Sequence, residues 1–415
     1  MSEHEKSAAR ASTSRTADSF DVIVVGGGPI GQAAAYHLSR RGAKTLVLEQ
    51  FNFGNQLGSS AGASRQFRIP YPEQYMVKLV KQSLPFWEEL QATTPVRLMD
   101  TVGTLWFGDP AVHSTEGNIG EAEKALSAEG VPYTKVDADD LARQYRFRDL
   151  PPTYTGLFQA SGASINLKAT LRALLEWNQA SPHVTLRDEA PVIAIRHDGD
   201  VFHVTTPLGT FQGKKLVLVP GPFGDALFRL LGFALKATYW NLASAYFRKL
   251  DPAIQYPTWF VFQNPVGDNG SQFYGFPEAE WDHPGYIRVS SDFVIQALDS
   301  PAQRTLIPDP RELAFTAAWV RDHMTGLDPV PQFTSTCMVS LSTLHNKEML
   351  LDFAPEDVPH HQDIVVYATG WAAKFVPLLG RILSDLALDG KTPFDISNFR
   401  QGRTYFYSFA KEQGR

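Results

Sequence analysis

The stretch from Asp21 to Gln50, DVIVVGGGPIGQAAAYHLSRRGAKTLVLEQ, narrows what this chain can fold into more than any other part of it. An apolar run, Val22 to Val25, breaks into Gly26, Gly27, Gly28, Pro29, Ile30 and Gly31. Helix-spaced Ala34, Tyr36 and Leu38 follow, then a second apolar run ending at Glu49. The pattern predicts strand, glycine turn, helix, strand. Gly26 permits the tight turn, Gly28 lets backbone approach a pyrophosphate, and Gly31 allows close helix–strand packing, while the helix N-terminus offers free N–H groups to phosphate oxygens. At the end of the second strand, Glu49 is placed to accept the hydroxyls of an adenosine ribose and to repel a 2′-phosphate. FAD or NAD is therefore favoured over NADP.

At 415 residues with 43% hydrophobic content the chain can bury a large core and suggests two domains or more. A net charge of −6 does not favour nucleic acid or an anionic membrane as a partner. No apolar run is long enough to span a bilayer, and the first seventeen residues are polar with no hydrophobic signal core, so a soluble cytoplasmic protein with a disordered tail over 1–17 is expected. A single cysteine excludes an internal disulfide and a cysteine-based metal cluster. No metal site is expected.

Asn52 to Arg68 is small, polar and glycine-rich, which predicts a loop near the first turn. Helical spacing follows from Tyr75 to Leu90, strand-like pattern from Arg97 to Phe107, and helices over Gly117 to Gly130 and Asp137 to Tyr145, the latter capped by Asp137. Asn166 caps a further helix. Short strands are predicted at Thr185, Val192 to Ile195, Val201 to Thr206 and Leu216 to Val219, ending at Pro220, Gly221, Pro222. The aromatic, alternating region Tyr239 to Val289 predicts an antiparallel sheet, inserted as a second domain. A helix over Glu312 to His323, strands at Thr334 to Leu341 and Ile364 to Ala368, and a last apolar helix from Phe375 to Leu388 complete the chain. That helix aims its positive end, with Lys374 beside it, at the crevice; a reduced flavin gains from such a field and a nicotinamide does not, which tilts the choice to FAD.

The glycine turn, Gly58 to Arg68, the lone cysteine in Ser335-Thr336-Cys337-Met338, Gly370 to Phe375 and the ending GKTPFDIS (Gly390 to Ser397) together resemble the monomeric sarcosine oxidase family, from about Phe20 to about Phe399. Within it, Gly103 to Gly117, Gly285 to Phe293 and Gly370 to Gly380 are most similar to members that oxidise a cyclic imine acid rather than sarcosine. The resemblance implies a mixed α/β and α+β fold: a Rossmann-like FAD-binding domain over 18–95, 155–225 and 335–400, and an antiparallel-sheet substrate domain over 96–154 and 226–334. Residues 401–415 are expected to be a C-terminal tail.

The resemblance also implies roles. Cofactor contacts fall to Gly26, Gly28, Pro29, Ile30, Gly31, Glu49, Gln50, Ser59, Ser60, Arg65, Val192, Gly221, Gly370 and Lys374, with Cys337 bonded to the flavin 8α carbon; by residue chemistry alone Cys337 is equally a small buried hydrophobe. Arg68 and Lys374 match the pair that holds a substrate carboxylate, against the plainer reading of a structural ion pair and a surface lysine. Trp371 stands where sarcosine oxidases carry histidine, suited either to stacking on a flat ring or to core packing. Glu116 and Asp292 match acidic pocket residues, and Tyr274 an active-site tyrosine, where the alternatives are solvated surface charge and strand packing. The family's oxygen-activating lysine falls nearest Arg288. The expected activity is FAD-dependent oxidation of a small cyclic imino or imine carboxylic acid, piperideine-2-carboxylate-like, toward picolinate, with electrons passed to molecular oxygen to give hydrogen peroxide by a monomeric enzyme. The alternatives are oxidation of a secondary-amine amino acid (sarcosine, pipecolate, proline) and a non-oxidase flavoprotein that passes electrons to a partner.

Overall fold

The computed structural model describes residues 19–114, 116–235, 237–266, 270, 272–292, 297–342, 349–404 and 406–408; the tail expected over 1–17 lies outside them. The first large sheet, of eight strands, grows from the opening apolar run. Ser19–Val25 lies between Thr45–Leu48 and Gly209–Leu218, parallel to both. Val22, Ile23 and Val24 are wholly buried, the usual fate of a continuous apolar strand covered on both faces. Val184–Arg187 extends the sheet past Thr45–Leu48, and Ile364–Ala368 pairs in parallel with the end of Gly209–Leu218. The strand expected from Val192 begins at Ala194.

The glycine turn leads into the helix Pro29–Arg40, against which the last apolar helix, Val376–Asp389, packs. A Cβ at Gly380 would fall 2.4 Å from the Ala33 carbonyl carbon. Gly31 is tighter, since a Cβ there would sit 1.8 Å from the Gly26 carbonyl oxygen, and Gly26 itself has φ +115. No side chain fits. Gly31→Ala is therefore expected to cost about 3 kcal/mol of stability, the upper end for overpacking a site that cannot yield, and to purify with little flavin. Thermal unfolding and the flavin absorbance check this; wild-type values of both would reject the assignment of the turn.

The second large sheet has nine strands. The aromatic region supplies Ala237–Arg248, Thr258–Phe262, Phe273–Phe276 and Tyr286–Ser291, paired antiparallel except that Thr258–Phe262 runs parallel to Thr104–Gly108. Two strands join it from segments expected in the FAD-binding domain: Thr155–Gln159, and Phe333–Ser342, which pairs along Ala237–Arg248 with Cys337 opposite Leu242. Alternation marks a strand but not the sheet it joins. The loop expected over Asn52 to Arg68 ends in a strand, Ser64–Phe67, which pairs with Ala163–Asn166. Ser-Arg-Gln-Phe carries too little apolar character to announce it. Beyond residue 400, where a tail is expected, Phe406–Ser408 pairs with Phe233–Leu235.

Candidate active site

A cavity of about 570 Å³ is lined by the C-terminal ends of the parallel strands, at Val25, Leu48 and Val219, and by Trp240, Tyr274, Cys337 and Val339 of the second sheet. Ligands in open α/β sheets bind at that end of the strands. Every cofactor or catalytic residue expected from the sequence lines this cavity: Gly26, Gly28, Pro29, Ile30 and Gly31 of the glycine turn, Glu49, Gln50, Ser59, Ser60, Arg65, Val192, Gly221, Gly370 and Cys337, together with Arg68, Glu116, Tyr274, Arg288, Asp292, Trp371 and Lys374.

At the glycine turn, no side chain caps the helix Pro29–Arg40, whose N-terminal cap is Gly28. Gly28, Pro29, Ile30 and Gly31 at its start line the cavity, where the free N–H groups of a helix N-terminus suit phosphate oxygens. Glu49 Oε2 accepts the Gly27 N–H at 2.8 Å and Oε1 the Phe51 N–H at 3.0 Å. Burial pushes this carboxyl up, against the lowering pull of those backbone N–H groups. Oε1 also accepts from Asn55 Nδ2 at 3.5 Å, and Oε2 keeps a second lone pair for a ribose hydroxyl. Farther in, Trp371 Nε1 and Ser340 Oγ are buried without a hydrogen-bond partner among the described residues, and both residues line the cavity. Orphaned polar atoms at such a wall are what a polar ring system would satisfy. The cavity therefore fits FAD: the turn and Glu49 would hold its adenosine diphosphate, and the wall around Trp371, Ser340 and Cys337 its isoalloxazine.

Two cations converge on one wall. The Arg68 guanidinium, 7% exposed, lies 4.2 Å from the Tyr71 ring and 4.8 Å from the Trp106 ring. Its Nη1 donates to the Pro70 carbonyl at 2.9 Å and its Nη2 to Glu116 Oε2. Burial alone would lower the Arg68 pKa, but Tyr71, Glu116 and Glu73 hold it above the ordinary arginine value. Lys374, 4% exposed, donates to the Tyr71 hydroxyl at 2.7 Å and to the Trp371 carbonyl at 2.9 Å. Trp87 Nε1, on the helix Gln74–Gln91, fixes this turn by donating to the Lys374 carbonyl at 2.8 Å. Burial, with Arg68 adding to it, holds the Lys374 ammonium well below the usual lysine range despite Glu116. The site is short of negative charge.

The wall around Cys337 is also cationic. Arg288 Nε donates to Ser244 Oγ at 3.1 Å and Nη1 to the Ser64 carbonyl at 3.0 Å, with Asp282 Oδ2 3.7 Å away. Arg65 braces the loop before it by donating to the Ser59 and Ala61 carbonyls at 2.8 and 2.5 Å. Arg304 ties the Gly58 loop to the Thr336 carbonyl, at 2.9 Å for the latter. Arg65, Arg288 and Arg304 all lie within electrostatic reach of the Cys337 sulfur. Burial, with Cys337 adding to it, pushes the Tyr274 hydroxyl far above its ordinary value, so it acts as a neutral donor. Space for the Asp292 carboxylate depends on Gly270, where a Cβ would fall 2.6 Å from Asp292 Oδ2.

A family model described as FAD dependent oxidoreductase (DAO) matches residues 21–386. The chain belongs to that family. Like other DAO-family members it is an FAD-dependent oxidoreductase of the amine and amino-acid oxidase type, acting on carbon–nitrogen bonds. It is 28% identical to human peroxisomal sarcosine oxidase, covering 93% of this chain and 96% of that one, and 26% identical to monomeric sarcosine oxidase of Bacillus sp. (strain B-0618), covering 92% and 96%. An inferred bifunctional amine oxidase of Dictyostelium discoideum is 31% identical over 93% of this chain, which spans 37% of that longer protein. Among solved structures, the open form of NikD, an amino acid oxidase essential for nikkomycin biosynthesis, is 38% identical with a TM-score of 0.86, covering 92% of this chain and 97% of NikD. No helix among the described residues is long and apolar enough to cross a membrane.

The structure adds residues to this DAO-family site that the sequence did not single out. Tyr71 touches both cations of the carboxylate wall, and the Trp106 ring also lies against the Arg68 guanidinium. Tyr71 had a legible signal: it stands between Pro70 and Pro72, three residues after Arg68, where two fixed φ angles hold the backbone extended. Arg304, far along the chain from Gly58, had none, and no motif marks out Asp282 although it stands only six residues before Arg288.

Proposed function

We propose that this enzyme oxidises a small, flat, cyclic imino or imine carboxylic acid of the piperideine-2-carboxylate kind and passes the electrons to molecular oxygen, giving hydrogen peroxide. The observation that carries the reading is the pair of buried cations, Arg68 and Lys374, on a cavity wall that also presents the unpartnered Trp371 indole. The likeness to NikD supports it. Bound FAD supplies a two-electron acceptor. Arg68 and Lys374 fix the substrate carboxylate, and Trp371 stacks on a planar ring while crowding a flexible amine. Glu116 or Asp292 takes protons released from the ring. Tyr274 remains protonated and donates a hydrogen bond without competing for them. Arg288 contributes a fixed positive charge where electrons leave for oxygen, and its delocalised guanidinium stays protonated in a dry cavity. Each two-electron step removes two hydrogens from the ring and turns one oxygen molecule into one hydrogen peroxide.

The test is anaerobic mixing of the loaded enzyme with cyclic imine acids, cyclic secondary-amine acids and N-methyl amino acids, followed by air. Rapid flavin bleaching is expected with piperideine-2-carboxylate, slow or absent bleaching with sarcosine, and recovery of the yellow colour on aeration. Fastest reduction by sarcosine would move the substrate to the secondary amines. Failure to recover in air would make the protein an electron-transfer flavoprotein.

A further inference from the structure

The carboxylate wall already holds a carboxylate. The Arg68 guanidinium lies against the Tyr71 and Trp106 rings, and one end of its fork, Nη1, donates to the Pro70 carbonyl. The other end, Nη2, carries Glu116, and both residues line the cavity. Two ring contacts and two hydrogen bonds hold the guanidinium in this orientation. Arg68 keeps N–H donors beyond these two, but a substrate carboxylate that takes the Nη2 end from the cavity competes with Glu116 for it. Glu116 itself sits on a tight bend: Ser114 and Gly117 exchange backbone hydrogen bonds at 2.9 Å, and Gly117 has φ +85 with Pro72 where a Cβ would go. The other ionisable groups coupled to this pair are Tyr71, Glu73 and Lys374.

We propose that Glu116 is the resident anion of the carboxylate site, occupying Arg68 in the free enzyme and exchanged for the substrate's carboxylate on binding. The inference rests on the carboxylate-clamp reading of Arg68 and Lys374. It makes Glu116 a specificity-determining residue. A tethered carboxylate competes at high effective concentration, so a ligand displaces it only by adding something Glu116 lacks, namely simultaneous contact with Lys374 and a ring for Trp371. Simple anions lose that contest, and neutral amides cannot enter it. Exchange also has an ordering effect. A proton acceptor that is tied to Arg68 until the substrate carboxylate arrives becomes free only when there is a substrate to act on.

Benzoate, read through the perturbation of the bound flavin's absorbance, tests the exchange without turnover. Glu116→Gln and Glu116→Ala, at full flavin content, are expected to bind benzoate about tenfold more tightly than wild type, because the charge-assisted hydrogen bond that must be broken is gone. With the substrate, the same variants should show a lowered KM alongside a lowered kcat. If Glu116 merely positions Arg68, benzoate binding weakens in both variants; weaker or unchanged binding overturns the exchange. Arg68→Ala separates the two ideas. Benzoate binding that survives Arg68→Ala defeats the clamp itself, whereas loss in Arg68→Ala without tightening in the Glu116 variants defeats only the exchange.

Discussion

Cys337→Ser is expected to turn a protein whose yellow colour stays with the acid-precipitated pellet into one that gives up its flavin to the supernatant. No non-covalent contact survives acid precipitation, so the change is from full retention to none. Cys337 lines the cavity from the strand Phe333–Ser342, and the guanidinium groups of Arg65, Arg288 and Arg304 surround it electrostatically. The Cys337 thiol would supply the sulfur for a thioether to the cofactor. Spectroscopy of pellet and supernatant from wild type decides the matter directly: a colourless pellet would sink the covalent assignment.

Arg68→Ala and Lys374→Ala are each expected to lower kcat/KM by about 30-fold or more, a loss of at least about 2 kcal/mol of transition-state stabilisation. The physical basis differs between the two. Removing Arg68 leaves Glu116 in the cavity wall without its partner and adds repulsion toward any substrate carboxylate. Removing Lys374 frees the Tyr71 hydroxyl and deletes the second cation. Amides of the substrate should be poor with wild type for the same reason. Steady-state kinetics at equal flavin content provide the check, and unchanged kcat/KM in both variants would reject the clamp.

The parts of this molecule that were legible in the sequence are those whose physics is local. A run such as Val22–Val25 breaking into glycines announces a turn because only glycine tolerates the contacts at positions 26 and 31, and Asp137 and Asn166 announce helices because their side chains accept the N–H groups of Asp140 and Ala169. Sheet membership was not legible. Phe333–Ser342 has the same alternation whichever sheet it joins, and its partner Ala237–Arg248 is remote in sequence. The site followed the same division. Arg68, Lys374 and Cys337 were accessible through resemblance to a family, whereas the Arg68–Glu116 contact and the Tyr71 link between the two cations depend on loops brought together by tertiary structure.

The strand Ile364–Ala368 and the helix Val376–Asp389 close the cofactor's seat from near the far end of the chain, with Gly370, Lys374 and Val376 in the cavity wall. During synthesis this imposes an order of events. A nascent chain of three hundred residues already carries the glycine turn and Glu49 but has neither Cys337 nor the wall that follows it. Flavin capture thus waits until Cys337 and the segment through Val376 have been made, and a product truncated before them is expected to emerge colourless however well its first strands have paired.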